Sequence, residues 1–362
     1  MKEKYCLIIK TGESEIRALE NSSNEVIDSI FPVIEITRGR KKTINDSFCA
    51  PFDNRLNKLK LILKNKVVGI DVTSSEFLSS TEVDLLYDTS DGYCNWIEFL
   101  RNLNEERVFS EIIPAILVNN EDEDFKENLV KQVSSLKTLF TSLIYRTSIE
   151  DDFSCYEDLI LLKETLNDVH LYVLIDCEYT PQASYLNVAE KCIARINNLK
   201  KIVKADTTFI VTSTSFPNNI SDIGDSLYDE LKNSEVDIVK KVQDSCGEDV
   251  MYSDYGSISV RRNDGVIMAR GWIPRIDVPT GLSTFYYKLR RPQGTTAYSS
   301  TYNRVARQAV SDPKFPKFSN WGIKQIIECA KGVNPSSSPS FWISVRMCIH
   351  IEQQVRRLMK DL

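Results

Sequence analysis

A short apolar run that recurs eight times between residues 5 and 254 constrains the fold of this chain more than any other feature. Amphipathic segments separate the runs, and the clearest of them, residues 185–199, has apolar residues at helical spacing. Apolar strands that alternate with amphipathic helices indicate a parallel sheet covered by helices. Eight such units predict an α/β fold, a (β/α)8 TIM-like barrel. The predicted strands are Tyr5–Lys10, Phe31–Ile36, Val67–Val72, Ile112–Val118, Ser142–Arg146, His170–Asp176, Thr208–Thr212 and Val250–Asp254.

A doubly wound open sheet is the alternative fold for the same alternation of strands and helices. Such sheets commonly bind a nucleotide phosphate on a glycine-rich loop after the first strand. Here the first strand is followed by Lys10-Thr-Gly-Glu13, which fits neither GxGxxG nor GxxxxGK[ST]. The sequence therefore favours the barrel.

The pattern changes after residue 255. Short strand-like segments around Thr284–Arg290 are followed by predicted helices over Tyr302–Val310, Ile323–Ala330 and Phe341–Leu358. Because α/β barrels commonly occupy about 250 residues, we divide the 362 residues into a barrel, 1–255, and a C-terminal strand-and-helix appendage, 256–362, that covers the barrel.

The charge is distributed unevenly between these two parts. Residues 1–250 contain 28 basic and 44 acidic residues, whereas residues 251–362 contain 17 basic and 7 acidic ones. A basic module attached to an acidic one suggests contact with nucleic acid. Electrostatic attraction between the two parts would explain the same distribution.

Composition excludes several kinds of site. With only two histidines, a His-centred acid–base mechanism or a His-rich metal site has little to draw on. The nine cysteines are scattered singly, which indicates reduced thiols rather than a disulfide framework or a zinc site. No apolar run approaches the roughly 20 residues that span a bilayer, and the first residues do not resemble a signal peptide. We therefore expect a cytoplasmic protein without membrane contact.

Charged residues stand at or just after the ends of several predicted strands. In a barrel of this kind the loops after the strands form the working face, so these charges should point into one partly buried ring. A functional pocket, a ring of structural salt bridges and exposed loop charges are the three interpretations. The charged residues are Lys10, Glu35, Arg38, Asp71, Arg146, Asp176 and Asp254.

Such a ring supports a limited chemistry. Glu35, Asp71 and Asp176 can jointly hold Mg²⁺, which prefers carboxylate oxygens. Lysine and arginine bind phosphate oxygens, and Lys10, Arg38 and Arg146 suit that role. The combination suggests a phosphate ester, for example a nucleotide. Hydrolysis would need a metal-activated water, because no histidine follows a predicted strand.

The appendage interleaves basic residues with tyrosines, a pattern suited to single-stranded nucleic acid, whose phosphates bind to cations and whose bases stack on aromatic rings. Tyrosine-rich strands are also ordinary core. The candidate nucleic-acid-binding residues are Arg261, Arg262, Arg290 and Arg291.

Four sequence segments carry a family resemblance. They are Tyr5-Cys-Leu-Ile-Ile-Lys10 with Gly12-Glu13, Pro32-Val-Ile-Glu35, Tyr252-Ser-Asp254-Tyr255, and Ser338-Pro-Ser-Phe-Trp342 with His350. Together they resemble the phage-type "beta protein" family along the whole chain. The resemblance implies an association with phages and with gene neighbourhoods that look like anti-phage defence. It also implies that Lys10, Glu13, Glu35 and Asp254 are site residues.

Our leading hypothesis is a cytoplasmic, anti-phage defence-associated barrel protein that binds a phosphate-bearing ligand, nucleotide or nucleic acid, at the C-terminal face of the barrel. A second hypothesis is a non-catalytic subunit or sensor that binds a protein partner encoded alongside it. A third is a metal-dependent phosphodiesterase or nuclease.

Overall fold

The computed structural model describes residues 5–40, 42–44, 47–151, 153–218, 226–261 and 272–359. Eight strands form one parallel sheet with helices between them, which confirms the predicted (β/α)8-like barrel. The strands are β1 (Tyr5–Lys10), β2 (Ile30–Ile36), β3 (Val67–Val72), β4 (Glu111–Pro114), β5 (Ser142–Ser148), β6 (His170–Tyr179), β7 (Thr208–Thr214) and β8 (Met251–Asp254).

The sheet closes on itself. Strands follow one another in the order β4-β3-β2-β1-β8-β7-β6-β5. An isolated parallel bridge between Ala115 and Ile144 joins the end of β4 to β5, and the amide of Ile116 donates to the carbonyl of Ile144 at 2.8 Å. All other neighbours pair in parallel along several residues. The barrel is therefore nearly complete, with β4–β5 as its weakest seam.

Strand register decides which charges share a layer. Lys10 lies level with Glu35, and Glu35 lies level with Asp71, so three charges occupy one layer at the C-terminal mouth. Asp254 is level with Leu7 rather than with Lys10. Asp254 therefore does not share the layer of Lys10, Glu35 and Asp71.

The strands are apolar because both of their faces are buried. Alternate residues point into the barrel and toward the helices, and β1 and β2 are buried at every position. This accounts for the near-continuous apolar runs in the sequence.

Twelve α-helices lie within the described ranges. In the helix that begins at Ser90, three residues, Asp91, Gly92 and Tyr93, are left-handed, so the regular part starts after them. The helices are Glu13–Glu20, Asn24–Asp28, Asp53–Ile62, Thr81–Asp84, Ser90–Glu105, Phe125–Leu139, Ser154–Leu161, Tyr185–Leu199, Ser234–Cys246, Tyr298–Ser311, Trp321–Ala330 and Pro339–Met359.

Two small antiparallel sheets accompany the barrel. Lys42–Ile44 pairs with Ser47–Cys49. In the other sheet, Ser283–Lys288 lies between Tyr228–Lys232 and Arg275–Pro279. Tyr228–Lys232 is a strand, and the helix that follows it begins at Ser234. Its partner strand is more than 50 residues away in the sequence, so local periodicity does not reveal the pairing.

The C-terminal helix, Pro339–Met359, completes the helical layer of the barrel. It packs against the first helix, Glu13–Glu20, and its Met347, Cys348 and Ile351 side chains belong to the same buried core as the strands. Its other side faces a second core formed by the appendage. The chain division at residue 255 stays a prediction, since the strand at Tyr228–Lys232 precedes this boundary but pairs with the appendage.

Within the described ranges, none of the helices has the length and apolar character that crossing a bilayer would require.

Candidate functional site

A cavity of about 940 Å³ opens at the C-terminal mouth of the barrel. Five of the residues predicted for the charged ring line it, and they come from the ends of five different strands. With Tyr255, which follows β8, they form what we call the mouth cluster: Lys10, Glu35, Asp71, Arg146, Asp176 and Tyr255.

Arg146 is the centre of the mouth cluster. Its Nη1 donates to Glu35 Oε2 at 3.1 Å and to Asp71 Oδ2 at 2.8 Å. Its Nε and Nη2 donate to Asp176 Oδ2 at 3.1 and 2.7 Å, and Nη2 also donates to the Tyr255 hydroxyl at 2.9 Å. A guanidinium has five N–H donors, so these contacts occupy all of them. Arg146 therefore orients the carboxylates and has no donor left for a ligand.

Lys10 is the second cation of the mouth cluster. Its Nζ lies 3.4 Å from both carboxylate oxygens of Glu35 and 5.1 Å from the centre of the Tyr255 ring. Only 2% of Lys10 is exposed. Two cations thus face three carboxylates, which leaves the mouth cluster with one net negative charge when all are ionised.

The electrostatics differ between the carboxylates. Burial alone would raise the pKa of Glu35, but Lys10 and Arg146 outweigh it and lower the pKa to about 2. Burial raises the pKa of Asp71, because Arg146 opposes it only in part and the charge of Glu35 adds to it. Burial opposes the charge of Arg146, yet Tyr255, Asp176 and Glu35 hold the pKa of Arg146 above its ordinary range.

The rim of the cavity carries two aromatic residues and an ion pair. Phe77 is 79% exposed, and the Tyr87 hydroxyl donates to the carbonyl of Val118 at 3.3 Å. Elsewhere on the rim, Arg261, which follows β8, pairs with Glu178 in β6. Arg261 Nη2 lies 3.5 Å from Glu178 Oε2, and both side chains are substantially exposed. The cavity thus combines a charged floor with a partly apolar rim.

Asp254 belongs to a separate buried cluster outside the barrel wall. Its Oδ1 accepts hydrogen bonds from the Tyr5 hydroxyl at 2.7 Å and the Gly256 amide at 2.8 Å. Its Oδ2 accepts from the Tyr252 hydroxyl and lies within hydrogen-bond distance of His350 Nε2, both at 2.7 Å. All four acceptor positions of Asp254 are therefore occupied.

The same outer cluster includes Glu235. Burial raises the pKa of Glu235 to about 7, the charge of Asp254 adds to this effect, and His350 opposes it. Its Oε2 accepts a hydrogen bond from the Ser215 amide at 3.0 Å. The position of Asp254 on this side of the wall follows from its register with Leu7, which also points outward from β1.

Neither cluster suits a metal ion well. Within the described ranges, only Glu235, Asp254 and His350 bring three potential ligand atoms within 4.8 Å of one another. Asp254 there already accepts four hydrogen bonds, so an ion would have to displace donors. Glu35, Asp71 and Asp176 do not converge on one point in this way; Arg146 occupies the space that the predicted Mg²⁺ would need.

Besides Asp254, two residues predicted as site residues lie away from the mouth cluster. Glu13 is half exposed on the first helix and forms salt bridges with Arg17 and Lys58. Arg38 donates from Nε to the carbonyl of Phe77 at 3.0 Å, which places it behind the cavity rim.

The described residues among those predicted to bind nucleic acid differ in their surroundings. Arg290 is exposed, Arg291 lies 3.9 Å from the centre of the Tyr298 ring, and Arg262 falls outside the described residues. Tyr286 and Tyr302 are fully buried in the appendage. Most of the interleaved aromatic residues are therefore core.

The sequence analysis missed Tyr255 and Glu235, and it named His350 only in a segment that carries the family resemblance. Tyr255 stands next to Asp254 in a segment that carried the family resemblance, so its position offered a signal. Glu235 offered none, because its partners Asp254 and His350 come from distant segments. His350 is fully buried and bonded.

Comparisons with known proteins give one family and one distant structure. The family model described as Beta protein matches residues 5–356. No curated protein matches the chain. The crystal structure of the Bacillus megaterium QM B1551 spore cortex-lytic enzyme SleL is similar at 10% identity over 84% of this chain and 68% of that chain, with a TM-score of 0.36. That similarity is too low to bear on function.

Proposed function

The chain belongs to the Beta protein family, and we propose that its barrel mouth binds a small phosphate-bearing ligand of the nucleotide class. The observation that carries this proposal is the cavity of about 940 Å³ with ordered carboxylates and a buried lysine at its floor and an exposed aromatic ring at its rim. Ligand pockets commonly measure about 300–1,000 Å³ and combine apolar walls with a few convergent polar groups.

The charge balance of the mouth cluster favours a ligand that has both donors and an anion. Asp71 and Asp176 are held in place by Arg146, and their remaining acceptor positions suit the hydroxyl groups of a ribose or an amino group of a base. A simple anion would be repelled by these carboxylates. A nucleotide offers hydroxyls to them and places its phosphate elsewhere.

Two cations are suited to that phosphate. Lys10 has three N–H donors and contacts Glu35 at 3.4 Å, a weak bond that leaves donor capacity. Arg261 lies at the rim, where its side chain is 73% exposed. Phe77, also at the rim, presents a ring face on which a base can stack. This arrangement supports binding; it assigns no catalytic group.

Titration calorimetry tests the proposal with AMP, GMP, CMP and UMP as probes, and with inorganic phosphate and adenosine as separate arms. We expect saturable binding of at least one nucleotide, stronger than binding of phosphate or adenosine alone. Absence of binding for all four nucleotides would overturn the proposal. Cleavage of the phosphodiester bis(p-nitrophenyl) phosphate in a separate assay, dependent on added Mg²⁺, would instead support the phosphodiesterase alternative.

Rim variants locate the site without disturbing the buried charges. Phe77→Ala should weaken binding about tenfold, since a base–aromatic stack contributes about 1–3 kcal/mol. Leu61→Ala is the matched control, because Leu61 is equally exposed, at 79%, on a helix away from the mouth. Arg261→Ala and its exposed control Arg101→Ala form a second pair. Equal affinity of Phe77→Ala and Leu61→Ala would place the binding elsewhere.

The defence role and the nucleic-acid and protein partners remain expectations from the sequence. If nucleotide binding serves anti-phage defence, as the family resemblance implies, Phe77→Ala should reduce protection in a plaque assay and Leu61→Ala should not.

A further inference from the structure

Two cysteines from different elements lie side by side beneath the mouth. Cys177 is near the end of β6, and Cys192 lies on the helix Tyr185–Leu199 that follows this strand. Their Sγ atoms are 3.4 Å apart, and the exposed fractions of the two residues are 5% and 0%. All nine cysteines are free thiols, so this pair is reduced.

The position of Cys177 connects the pair to the cavity. Its neighbours in the sequence, Asp176 and Glu178, both line the mouth cavity. The Glu178 amide donates to Asp176 Oδ1 at 2.9 Å, and Glu178 has a left-handed backbone with φ of 48°. The register between β6 and β7 also shifts between Asp176 and Tyr179. The backbone on either side of Cys177 is therefore irregular, held by a few specific bonds.

We propose that Cys177 and Cys192 are an oxidative modification site, at which a peroxide forms an intramolecular disulfide that fixes the backbone of residues 176–178. A disulfide needs the sulfurs to approach from 3.4 Å to about 2.05 Å. Side-chain rotation and a small shift of the irregular segment supply this movement. The effect on ligand affinity rests on the proposed function, whereas formation of the bond does not.

The reaction balances with hydrogen peroxide as the oxidant. Peroxide transfers one oxygen to the Cys177 sulfur, which gives a sulfenic acid and one water. The Cys192 sulfur then displaces the hydroxyl group, and its proton leaves with that group as a second water. Two thiols lose two electrons in total, and peroxide accepts them. Cys177 is the first target because it is the more exposed of the two.

The buried state of the pair makes the reaction slow. The hydrogen bond with Cys192 and burial both raise the pKa of Cys177 well above its ordinary value, so the reactive thiolate is scarce. Oxidation therefore depends on transient opening of the backbone near residue 178, and it requires sustained rather than brief exposure to peroxide.

Peptide mapping by mass spectrometry after peroxide treatment of the folded protein tests the bond directly. We expect a cross-linked peptide pair containing Cys177 and Cys192, lighter by two hydrogen atoms and split by dithiothreitol. It should persist in Cys246→Ser, which removes another thiol beside the same helix, and in Cys94→Ser, which removes an exposed one. Cys192→Ser should abolish it. If exposed Cys94 is oxidised while Cys177 and Cys192 still react with an alkylating agent after unfolding, the proposal is wrong.

Hydrogen exchange tests the coupling to the mouth, independently of any ligand. Peptides that cover residues 176–180 should exchange more slowly in the oxidised protein, and reduction should restore the original rate. Unchanged exchange in a fully cross-linked sample would overturn the coupling while leaving the disulfide established. Nucleotide titration of both forms then gives the change in affinity, so failure of the proposed function does not obscure either result.

Discussion

His350 Nε2 lies 2.7 Å from Asp254 Oδ2, and neither side chain exposes more than 1% of its surface. This contact joins the C-terminal helix to the last barrel strand across 96 residues of sequence. Burial would raise the pKa of Asp254, but His350 and the hydroxyls of Tyr252 and Tyr5 outweigh it and lower the pKa. The C-terminal helix is therefore attached to the barrel by a buried polar contact as well as by apolar packing.

Replacing Asp254 by Asn should destabilise the fold by about 3 kcal/mol, because it removes a buried charged acceptor of hydrogen bonds from Tyr5, Tyr252 and Gly256 and leaves buried donors unsatisfied. An Asn amide would direct N–H donors at groups that are themselves donors, such as the Gly256 amide. Urea unfolding at pH 7, followed by circular dichroism, measures the change in the free energy of unfolding.

Asp28→Asn is the matched control for Asp254→Asn. Asp28 forms a surface salt bridge with Lys66, and its side chain is 54% exposed. Exposed ion pairs contribute about 0–1 kcal/mol, so the control should unfold almost like the unmodified protein. Similar losses in the two variants would contradict a special role for the buried contact.

Arg146→Met should destabilise the protein by about 3–5 kcal/mol at pH 7, since it leaves three buried carboxylates without their shared partner. The loss should shrink at pH 5. Without the guanidinium, which lowers the pKa of both Glu35 and Asp71, the folded-state pKa values of these two groups rise, so protonation at lower pH relieves the repulsion. Denaturant unfolding at both pH values measures this. A loss of stability that does not depend on pH would contradict this role of Arg146. An equal loss in Arg101→Met, at an exposed helix position, would contradict it as well.

The sequence was sufficient to predict the barrel because parallel barrel strands are buried on both faces and therefore read as apolar runs. All eight predicted strands are present, although β4 ends at Pro114 and continues only as a single bridge at Ala115. The strand Tyr228–Lys232 could not be predicted, because its residues are mostly exposed and its partner is Ser283–Lys288.

Five of the six members of the mouth cluster were predictable from the sequence, but their connections were not. Lys10, Glu35, Asp71, Arg146 and Asp176 meet because parallel strand ends share one edge of the barrel. Arg146 uses all five of its N–H donors on neighbouring side chains. This depends on side-chain geometry, which spacing along the chain does not determine. Asp254 shows the second difficulty: its register with Leu7 turns it toward the helices, and register is a property of paired strands.

Glu235→Gln should remove a contribution to the pH dependence of stability between about pH 4.5 and 7. The pKa of Glu235 is raised from 4.5 to about 7 by burial and by Asp254, so in this window the folded protein binds a proton that the unfolded chain releases. Glu235 therefore makes the protein less stable as pH rises, by up to about 3 kcal/mol at pH 7. Gln imitates the protonated acid, so the variant should be more stable at pH 7 and similar at pH 4.5. Unfolding curves across this range check it, and equal slopes for the two proteins would exclude the assignment.

Glu35→Gln should change the stability at pH 7 in the opposite direction to Glu235→Gln, so each variant is a control for the other. Lys10 and Arg146 overcome burial and lower the pKa of Glu35 from 4.5 to about 2. Its ionised form therefore contributes stability above pH 4.5 that is lost as pH falls toward 2, by about 3 kcal/mol in full. The variant should be destabilised at pH 7 and should lose less stability than the unmodified protein on acidification. Thermal unfolding at pH 7, 5 and 3 distinguishes the variants. At pH 7, Glu35→Gln should be less stable than the unmodified protein and Glu235→Gln more stable. A change in the same direction for both variants would mean that the two carboxylates do not differ in environment.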